Sequence, residues 1–476
     1  MSAAGFLDRS RCIAPPGYDR WRVPPAALAI HLSIGQAYAF SVFNLPLTKI
    51  LGVTAPVPED WKLTTIGWIF SVAIVFLGLS AFTFGRWLEE AGPRKAMFAS
   101  ASCFGGGFLV AALGVQIHQI WLVYLGYGVL GGIGLGLGYI APVSTLIKWF
   151  PDRPGMATGL AIMGFGGGAM IGSPLAVALM DFFKSSTSVG VAEAFVVMGI
   201  LYFAFMMFGV FTVQVPGPGW LPASYTAKRK AEFGATPAVP TIGTPAGRSN
   251  AERRPMAKDV HVNEAIRTPQ FWLLWVVLCL NVTAGIGVLG QASPMIQEMF
   301  PGGVSAQAAA GFVGLLSLAN MAGRFVWSSA SDIIGRRRTY MVYFALGALL
   351  YASVPSAGRM ENATLFVAFY CVIMSMYGGG FATIPAYLRD QFGEMHVGAI
   401  HGRLLTAWSL AGVAGPVLVN YIREYQINHG VAKGDAYSAT MYLMAGLLVV
   451  GFVANWLVQS VHATHHYNPE RGPMRV

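Results

Sequence analysis

The chain has 476 residues, of which 55% are hydrophobic and only 11% are charged. A soluble domain carries about a quarter charged residues, so the composition excludes an ordinary soluble globular protein. The net charge of +10 could indicate a nucleic-acid partner, but the distribution of the basic residues indicates membrane topology instead.

Twelve apolar runs follow one another along the chain, and each is long enough to cross a hydrocarbon layer of about 30 Å as a helix. The charged, proline-containing segment before the first run does not have the pattern of a cleavable signal peptide. The predicted spans are 24–48, 64–85, 96–115, 119–147, 155–180, 192–213, 270–296, 307–330, 340–358, 363–388, 398–422 and 437–461. This pattern predicts an all-α polytopic membrane protein.

The stretch between the sixth and seventh runs is rich in Pro, Gly, Ala and charge and has no long apolar face. It predicts a flexible linker, although its basic residues could instead lie near anionic lipid. The predicted organisation is an N-terminal tail (1–23), a six-helix half (24–214), the linker (215–268), a second six-helix half (269–461) and a C-terminal tail (462–476).

The Lys and Arg residues lie mainly on one predicted side of the membrane. The two tails and the loops after even-numbered spans hold 24 of them, and the opposite loops hold six. This is the positive-inside bias, so both termini are predicted to be cytoplasmic. The basic charge therefore reflects topology, and we expect no nucleic-acid partner.

The two halves resemble each other at an offset of 243 residues. The offset aligns Glu89 with Asp332, Gly92 with Gly335, Arg94 with Arg337, Pro142 with Pro385, Gly155 with Gly398 and Gly159 with Gly402. A register held across three loops predicts a parallel repeat of six plus six spans. This pattern resembles the major facilitator fold, whose substrate site lies between the halves at the bilayer midplane.

The segments GRWLEEAGPRK (85–95) and SSASDIIGRRR (328–338) each place an acid, a glycine and basic residues after an even-numbered span. They resemble the signature loop of the major facilitator superfamily. The resemblance implies a cytoplasmic latch formed by Glu89, Gly92, Arg94, Asp332, Gly335, Arg336 and Arg337. The first copy departs from the family pattern at Glu89, Glu90 and Pro93. The alternative interpretation of both segments is a simple cytoplasmic turn that carries the basic residues of the positive-inside bias.

Four longer stretches carry a more specific resemblance. They are YAFSVF (38–43), GLGLGYIAPVSTLIKWFPDRPGMATGL (134–160), YGGGFATIPAYLRDQFG (377–393) and HGRLLTAWSLAGVAGP (401–416). Together they resemble the oxalate/formate antiporter family, which is related to the monocarboxylate porters. The resemblance covers nearly all of the chain except the tails and the linker, and it implies transport of carboxylate anions.

The glycine-rich stretch GYGVLGGIGLGLG (126–138) lacks the Lys-Ser/Thr of a phosphate-binding loop and lies inside a span. Gly128, Gly132 and Gly136 fall on one helix face, where small residues allow close helix packing. The sequence contains no recognisable motif for ATP hydrolysis, so we expect solute gradients to supply the energy.

Arg324 lies inside the eighth apolar run, eight residues before Asp332. This spacing places it roughly 12 Å from the helix end, where an arginine costs at least about 2.5–3.5 kcal/mol. The predicted spans place no acidic residue centrally, so the guanidinium is a candidate anion site that can grip a carboxylate in two places. The alternative is an arginine that snorkels or bonds to backbone carbonyls, but the resemblance implies that this is the family's essential arginine.

Two neighbouring positions bear on the chemistry of this arginine. Asn320 lies one turn before Arg324 on the same face, where monocarboxylate porters of animals carry an aspartate; an amide cannot exchange protons. Trp408 occupies the position at which the oxalate:formate antiporter carries a second cation. The resemblance therefore implies a single-cation site for a singly charged substrate, with Trp408 as an apolar or cation–π wall or simply a packing residue.

Aromatic side chains from other spans are candidates to close the site, because tyrosine hydroxyls donate to carboxylates while the rings exclude water. By motif position these are Tyr38, Tyr139, Tyr377 and Phe381. Each could equally serve helix packing. His31 could titrate near neutral pH, but a structural role is the favoured interpretation. We expect no cofactor and no metal site.

The sequence thus predicts a secondary transporter, not an enzyme, that moves small organic monocarboxylates such as formate, lactate or pyruvate across the inner membrane by alternating access. A proton or a counter-transported anion is the expected co-substrate, and a monomer in contact with lipid is the expected state. An oxalate-type dicarboxylate exchanger is the alternative. Exporters of cationic drugs usually need acids within the membrane, and a membrane sensor would need a signalling domain that the linker does not show.

Overall fold

A computed structural model of the chain describes residues 3–217, 220–222, 259–289, 291–304 and 306–466. Within these ranges the chain is helical, and its β contacts are two isolated bridges, Ile13 with Val215 and Val260 with His466. Most of the predicted linker and the end of the C-terminal tail lie outside the described residues.

Twelve of the described helices follow the twelve predicted apolar runs and are numbered α1–α12 in chain order. They are α1 Pro24–Ile34, α2 Leu63–Ala91, α3 Pro93–Gln116, α4 Ile120–Trp149, α5 Pro154–Phe183, α6 Val191–Thr212, α7 Pro269–Leu289, α8 Ala306–Ile334, α9 Arg336–Arg359, α10 Ala363–Phe392, α11 Val397–Asn428 and α12 Ser438–Leu457. The segment α1 continues as a 3₁₀ helix, Gly35–Phe43, and α4 contains a π-helical stretch, Tyr124–Gly131.

Ten of these helices are long and apolar enough to span a membrane, and α1 and α8 complete the set of twelve. Large apolar side chains remain exposed on the outside of the bundle, including Phe182 at 79% and Leu349 at 63% exposure. Such a surface suits lipid rather than water. The prediction of an all-α polytopic membrane protein is confirmed.

Several helices extend past the predicted apolar runs. The helix α2 continues to Ala91 rather than 85, and α8 continues to Ile334 rather than 330. Each ends at a single glycine with positive φ, Gly92 at 88° and Gly335 at 92°, and the next helix begins at the following residue. Glycine adopts this backbone conformation without the steric penalty of a Cβ, which explains why both copies of the motif carry it.

The helix packing repeats between the halves. In the first half α3 packs on α6 and α2 on α4, and in the second half α9 packs on α12 and α8 on α10. The halves meet through two equivalent crossings, α5 with α8 and α2 with α11. The predicted six-plus-six repeat is therefore present in the packing as well as in the sequence.

Both crossings depend on a glycine. A Cβ on Gly159 of α5 would lie 2.9 Å from the carbonyl oxygen of Arg324, and a Cβ on Gly402 of α11 would overlap the carbonyl oxygen of Ala81. The two glycines are 243 residues apart, as are the two carbonyls. Backbones that approach this closely can slide past one another without large side chains catching.

The glycine face predicted on α4 also packs as expected. A Cβ on Gly128 would lie 2.8 Å from Val72, and one on Gly132 would lie 2.6 Å from the carbonyl oxygen of Ala73. Gly136, one turn further, is equally close to α2. These glycines therefore serve close packing against α2.

Candidate functional site between the halves

Arg324 lies on α8 and is fully buried. Its Nε donates a hydrogen bond of 2.9 Å to the side-chain oxygen of Asn320, one turn earlier on the same helix. The two terminal guanidinium nitrogens have no hydrogen-bond partner among the described residues. Asn320 therefore fixes one edge of the guanidinium and leaves the two nitrogens that would grip a carboxylate unbonded.

No described residue provides a counter-charge for Arg324. Asp60 is the one acid among the described residues that is buried, at 8% exposure, and it lies in the loop between α1 and α2. The ion pairs of the described residues join other groups, at helix ends and loops. A buried, uncompensated charge is costly, so binding of an anion beside Arg324 would be electrostatically favourable.

Aromatic rings from both halves enclose the guanidinium. Its central carbon lies 5.6 Å from the ring centre of Phe165 on α5 and 5.3 Å from that of Phe381 on α10. Trp408 on α11 packs against both rings, at 5.5 and 4.4 Å between ring centres. Cation–π contacts of this kind stabilise a buried cation in part while keeping water away from it.

Tyrosines complete the enclosure. The Tyr38 hydroxyl of the first half and the Tyr377 hydroxyl of the second form a hydrogen bond of 3.1 Å. Tyr139 on α4 packs on Trp408 at 5.3 Å between ring centres, and its buried hydroxyl has no partner among the described residues. Arg324 and Trp408 are inaccessible to solvent, so this site is closed to solvent in the structure.

The structure brings all seven predicted site residues into one cluster. They are Arg324, Asn320, Tyr38, Tyr139, Tyr377, Phe381 and Trp408. Sequence reasoning missed Phe165 and His401, which lie in the same cluster. Phe165 is 243 residues before Trp408, so the internal repeat was the signal that could have identified it.

Asp332, a residue of the predicted latch, joins the halves at the predicted cytoplasmic end of the bundle. Its carboxylate accepts backbone N–H bonds from Gly155 and Met156, both 2.9 Å, in the first turn of α5, and it pairs with Arg336. A carboxylate at a helix N-terminus satisfies free N–H groups and the positive end of the helix dipole. The end of α8 thus caps α5 across the interface.

Glu89, the equivalent residue in the first half, occupies the repeated position with different bonds. Its carboxylate accepts from Lys148 at 2.7 Å and from Ser144 at 3.0 Å, both on α4. It still faces the first turn of α11, because a Cβ on Gly398 would lie 2.5 Å from Glu89 Oε1. The position repeats, but of these two carboxylates only that of Asp332 forms hydrogen bonds across the halves among the described residues.

The motif arginines Arg94 and Arg337 bind within their own halves. Arg94 donates to the carbonyl of Val213 at 3.2 Å, at the end of α6. Arg337 donates to the carbonyl of Trp456, at the end of α12. The two carbonyls are 243 residues apart, so each arginine ties the start of the third helix of a half to the end of the sixth.

Two pseudo-symmetric six-helix halves with a buried site between them are the architecture of a membrane transporter. Residues 26–416 and 303–475 match the family model described as Major Facilitator Superfamily. The chain therefore belongs to this superfamily, as the sequence predicts.

Individual relatives are distant but extensive. The chain is 25% identical over 394 residues to the oxalate:formate antiporter of Oxalobacter formigenes, which covers 82% of this chain and 81% of the relative. It is 24% identical to apicoplast pyruvate carrier 1 of Toxoplasma gondii, over 73% of this chain and 68% of the relative. The solved structure of the proton:xylose symporter XylE superposes with a TM-score of 0.65 at 15% identity, and the match covers 92% of this chain and 96% of the other. The predicted resemblance to the oxalate/formate antiporter family is confirmed at this level of identity.

Proposed function

We propose that the chain is a secondary transporter of small organic monocarboxylates, with Arg324 as the residue that binds the anion. The observation that carries the proposal is the guanidinium itself. It is fully buried between the halves, held at one edge by Asn320, and has two nitrogens without a partner among the described residues. A carboxylate would satisfy both nitrogens and cancel the buried charge in one step.

The number of charges in the site favours a monocarboxylate over a dicarboxylate. The other buried arginines of the described residues, Arg94 and Arg336, bind groups at helix ends. Trp408, where the oxalate:formate antiporter carries its second cation, contributes an indole ring. A dianion would therefore bring a second negative charge to an apolar aromatic wall, which is costly.

Two relatives support a carboxylate as substrate. One is named for oxalate and formate and the other for pyruvate. The groups that enclose the charge of Arg324 are aromatic rings, and an apolar surround of this kind suits the one- to three-carbon body of formate, lactate or pyruvate.

Transport would follow alternating access. Binding of the anion to Arg324 removes the electrostatic cost of the occluded site, and the halves then rock at the glycine crossings α5–α8 and α2–α11. The Asp332 cap would release when the predicted cytoplasmic side opens. The positive-inside bias would place both termini in the cytoplasm, and we further propose that the protein acts as a monomer in the inner membrane.

Uptake of labelled lactate, pyruvate, formate and oxalate by proteoliposomes tests the proposal. We expect the monocarboxylates to be taken up and Arg324→Lys to reduce kcat/KM by about 10–150-fold, because lysine loses the bidentate geometry and a hydrogen bond to a charged group contributes about 1.5–3 kcal/mol. Arg359→Lys, at an exposed helix end, is the matched control and should leave uptake unchanged. Uptake that is insensitive to Arg324→Lys, or oxalate as the only substrate, would contradict the proposal.

A further inference from the structure

Two buried histidines flank the candidate anion site. His31 on α1 and His401 on α11 come from opposite halves and are 0% and 1% exposed. Their rings lie on the ring of Tyr139, at 5.5 and 5.8 Å between ring centres. Tyr139 in turn packs on Phe165 and Trp408, the aromatic enclosure of Arg324. The histidines are therefore one aromatic layer away from the proposed anion position.

The imidazole nitrogens of the pair are poorly satisfied. His31 Nδ1 lies 3.2 Å from the carbonyl oxygen of Ala27 and must carry the proton in that bond, because a carbonyl only accepts. His31 Nε2 then holds a lone pair; it makes no hydrogen bond of good geometry among the described residues, and the backbone of Tyr139 lies beside the ring. Neither nitrogen of His401 makes such a bond either. Purely structural histidines bury polar groups with partners, so these nitrogens are available to accept a proton.

The charged and titratable groups around the pair are few. They are Arg324 on α8 and the phenols Tyr38, Tyr139 and Tyr377. Among the described residues no buried carboxylate accompanies them, since Asp60 lies in a loop. In the anion-free site the charge of Arg324 opposes a second positive charge nearby. A carboxylate bound to Arg324 cancels that repulsion and lowers the electrostatic cost of protonating a nearby imidazole.

We propose that His31 and His401 together form the proton-binding site of this transporter and take up one proton with each carboxylate. This inference rests on the proposed function. An imidazole lone pair, that of His31 Nε2 in the anion-free state, accepts the proton from water on one side and returns it on the other. Two adjacent imidazolium ions would repel each other, which limits the pair to one proton. The coupling is reciprocal: the anion favours the proton and the proton favours the anion.

Charge balance follows from this assignment. The empty site carries the charge of Arg324 alone, and the loaded site carries Arg324, one imidazolium and one carboxylate. The net charge is the same in both states, so transport is electroneutral. Asn320, which cannot titrate, is then limited to orienting Arg324, and the proton is bound on α1 and α11 instead of α8.

The first test needs no variant. Lactate added to the purified protein in weakly buffered detergent solution should raise the pH of the solution, with close to one proton bound per lactate bound. In proteoliposomes, an inward proton gradient should drive net lactate uptake, and an imposed membrane potential should not. Lactate transport without proton uptake would overturn the inference while leaving the Arg324 proposal intact. If no carboxylate is transported at all, the proposed function fails with it.

The second test separates the histidines from a structural role. The double variant His31→Gln, His401→Gln keeps polar groups of similar length but cannot titrate. We expect the ratio of gradient-driven uptake to lactate–lactate exchange to fall at least tenfold, because exchange moves no net proton. His429→Gln, an exposed residue at the end of α11, is the control. A wild-type ratio in the double variant refutes the assignment. If the double variant does not fold, the same ratio is measured in His31→Gln alone and is again expected to fall.

Discussion

The cap that Asp332 makes on α5 gives a prediction about the conformational equilibrium. The residue accepts two backbone N–H bonds of 2.9 Å across the halves, and its side chain is only 14% exposed. Asp332→Asn keeps the shape of the side chain but removes its charge and one acceptor oxygen. We expect the variant to shift the protein toward the conformation that is open at the predicted cytoplasmic side.

The magnitude follows from the bonds that are lost. Each hydrogen bond to a charged acceptor contributes about 1.5–3 kcal/mol, and a charge at a helix terminus contributes about 0.3–1 kcal/mol. Because asparagine retains one acceptor, we expect a net loss of about 2–3 kcal/mol, or an equilibrium shift of about 30–150-fold. A closed-to-open ratio of about 99:1 would then become between about 3:1 and about 1:1.5.

Distances between spin labels measure this shift directly. Arg153→Cys and Arg338→Cys lie in exposed positions on opposite halves at the predicted cytoplasmic end, in a chain whose native cysteines are replaced by serine. Asp332→Asn should add a longer distance component in lipid nanodiscs. Asp390→Asn is the matched control, because Asp390 also pairs with Arg336, at 3.2 Å, and makes no bond to α5 among those observed. An unchanged distance distribution, or equal broadening in the control, would refute the reasoning.

Two further predictions concern packing and pH. Gly402→Ala should lower the thermal stability and slow transport, because the new methyl group overlaps the carbonyl oxygen of Ala81. Gly446→Ala is the control and should change the melting temperature little, because open space surrounds Gly446. Equal effects of the two variants would contradict the importance of close backbone packing at the α2–α11 crossing. The pKa of Asp60 is affected first by burial, which raises it, but three backbone N–H bonds outweigh this and hold it below its usual value of 3.8. A carboxyl group whose pKa is lower in the folded than in the unfolded protein stabilises the fold above the unfolded-state pKa, and this contribution is lost as the pH falls below about 4. Asp60→Asn should therefore flatten the decline of the melting temperature at acid pH. An unchanged decline would contradict this role of Asp60.

Much of the fold could be predicted from the apolar runs and from the internal repeat at an offset of 243 residues. Apolar runs of membrane-spanning length fixed the number and order of the helices, because a bilayer admits few alternatives for a polypeptide. The same offset related Asp332 to Glu89 and Gly159 to Gly402, and the structure places both pairs in equivalent positions. Helix ends were less predictable: polar residues such as Glu89 continue a helix past the apolar run until a glycine with positive φ ends it.

The sequence by itself determined that Arg324 is a buried cation without an acid in its own span, since charge and hydropathy are local properties. Only the tertiary structure decided what surrounds it. Phe165 and His401 are far from Arg324 along the chain and join it because α5 and α11 meet α8 and α4 at the interface between the halves. The structure likewise decided that Asp332 bonds across the halves while Glu89 bonds within one, because hydrogen-bond partners depend on side-chain positions that a sequence repeat does not specify.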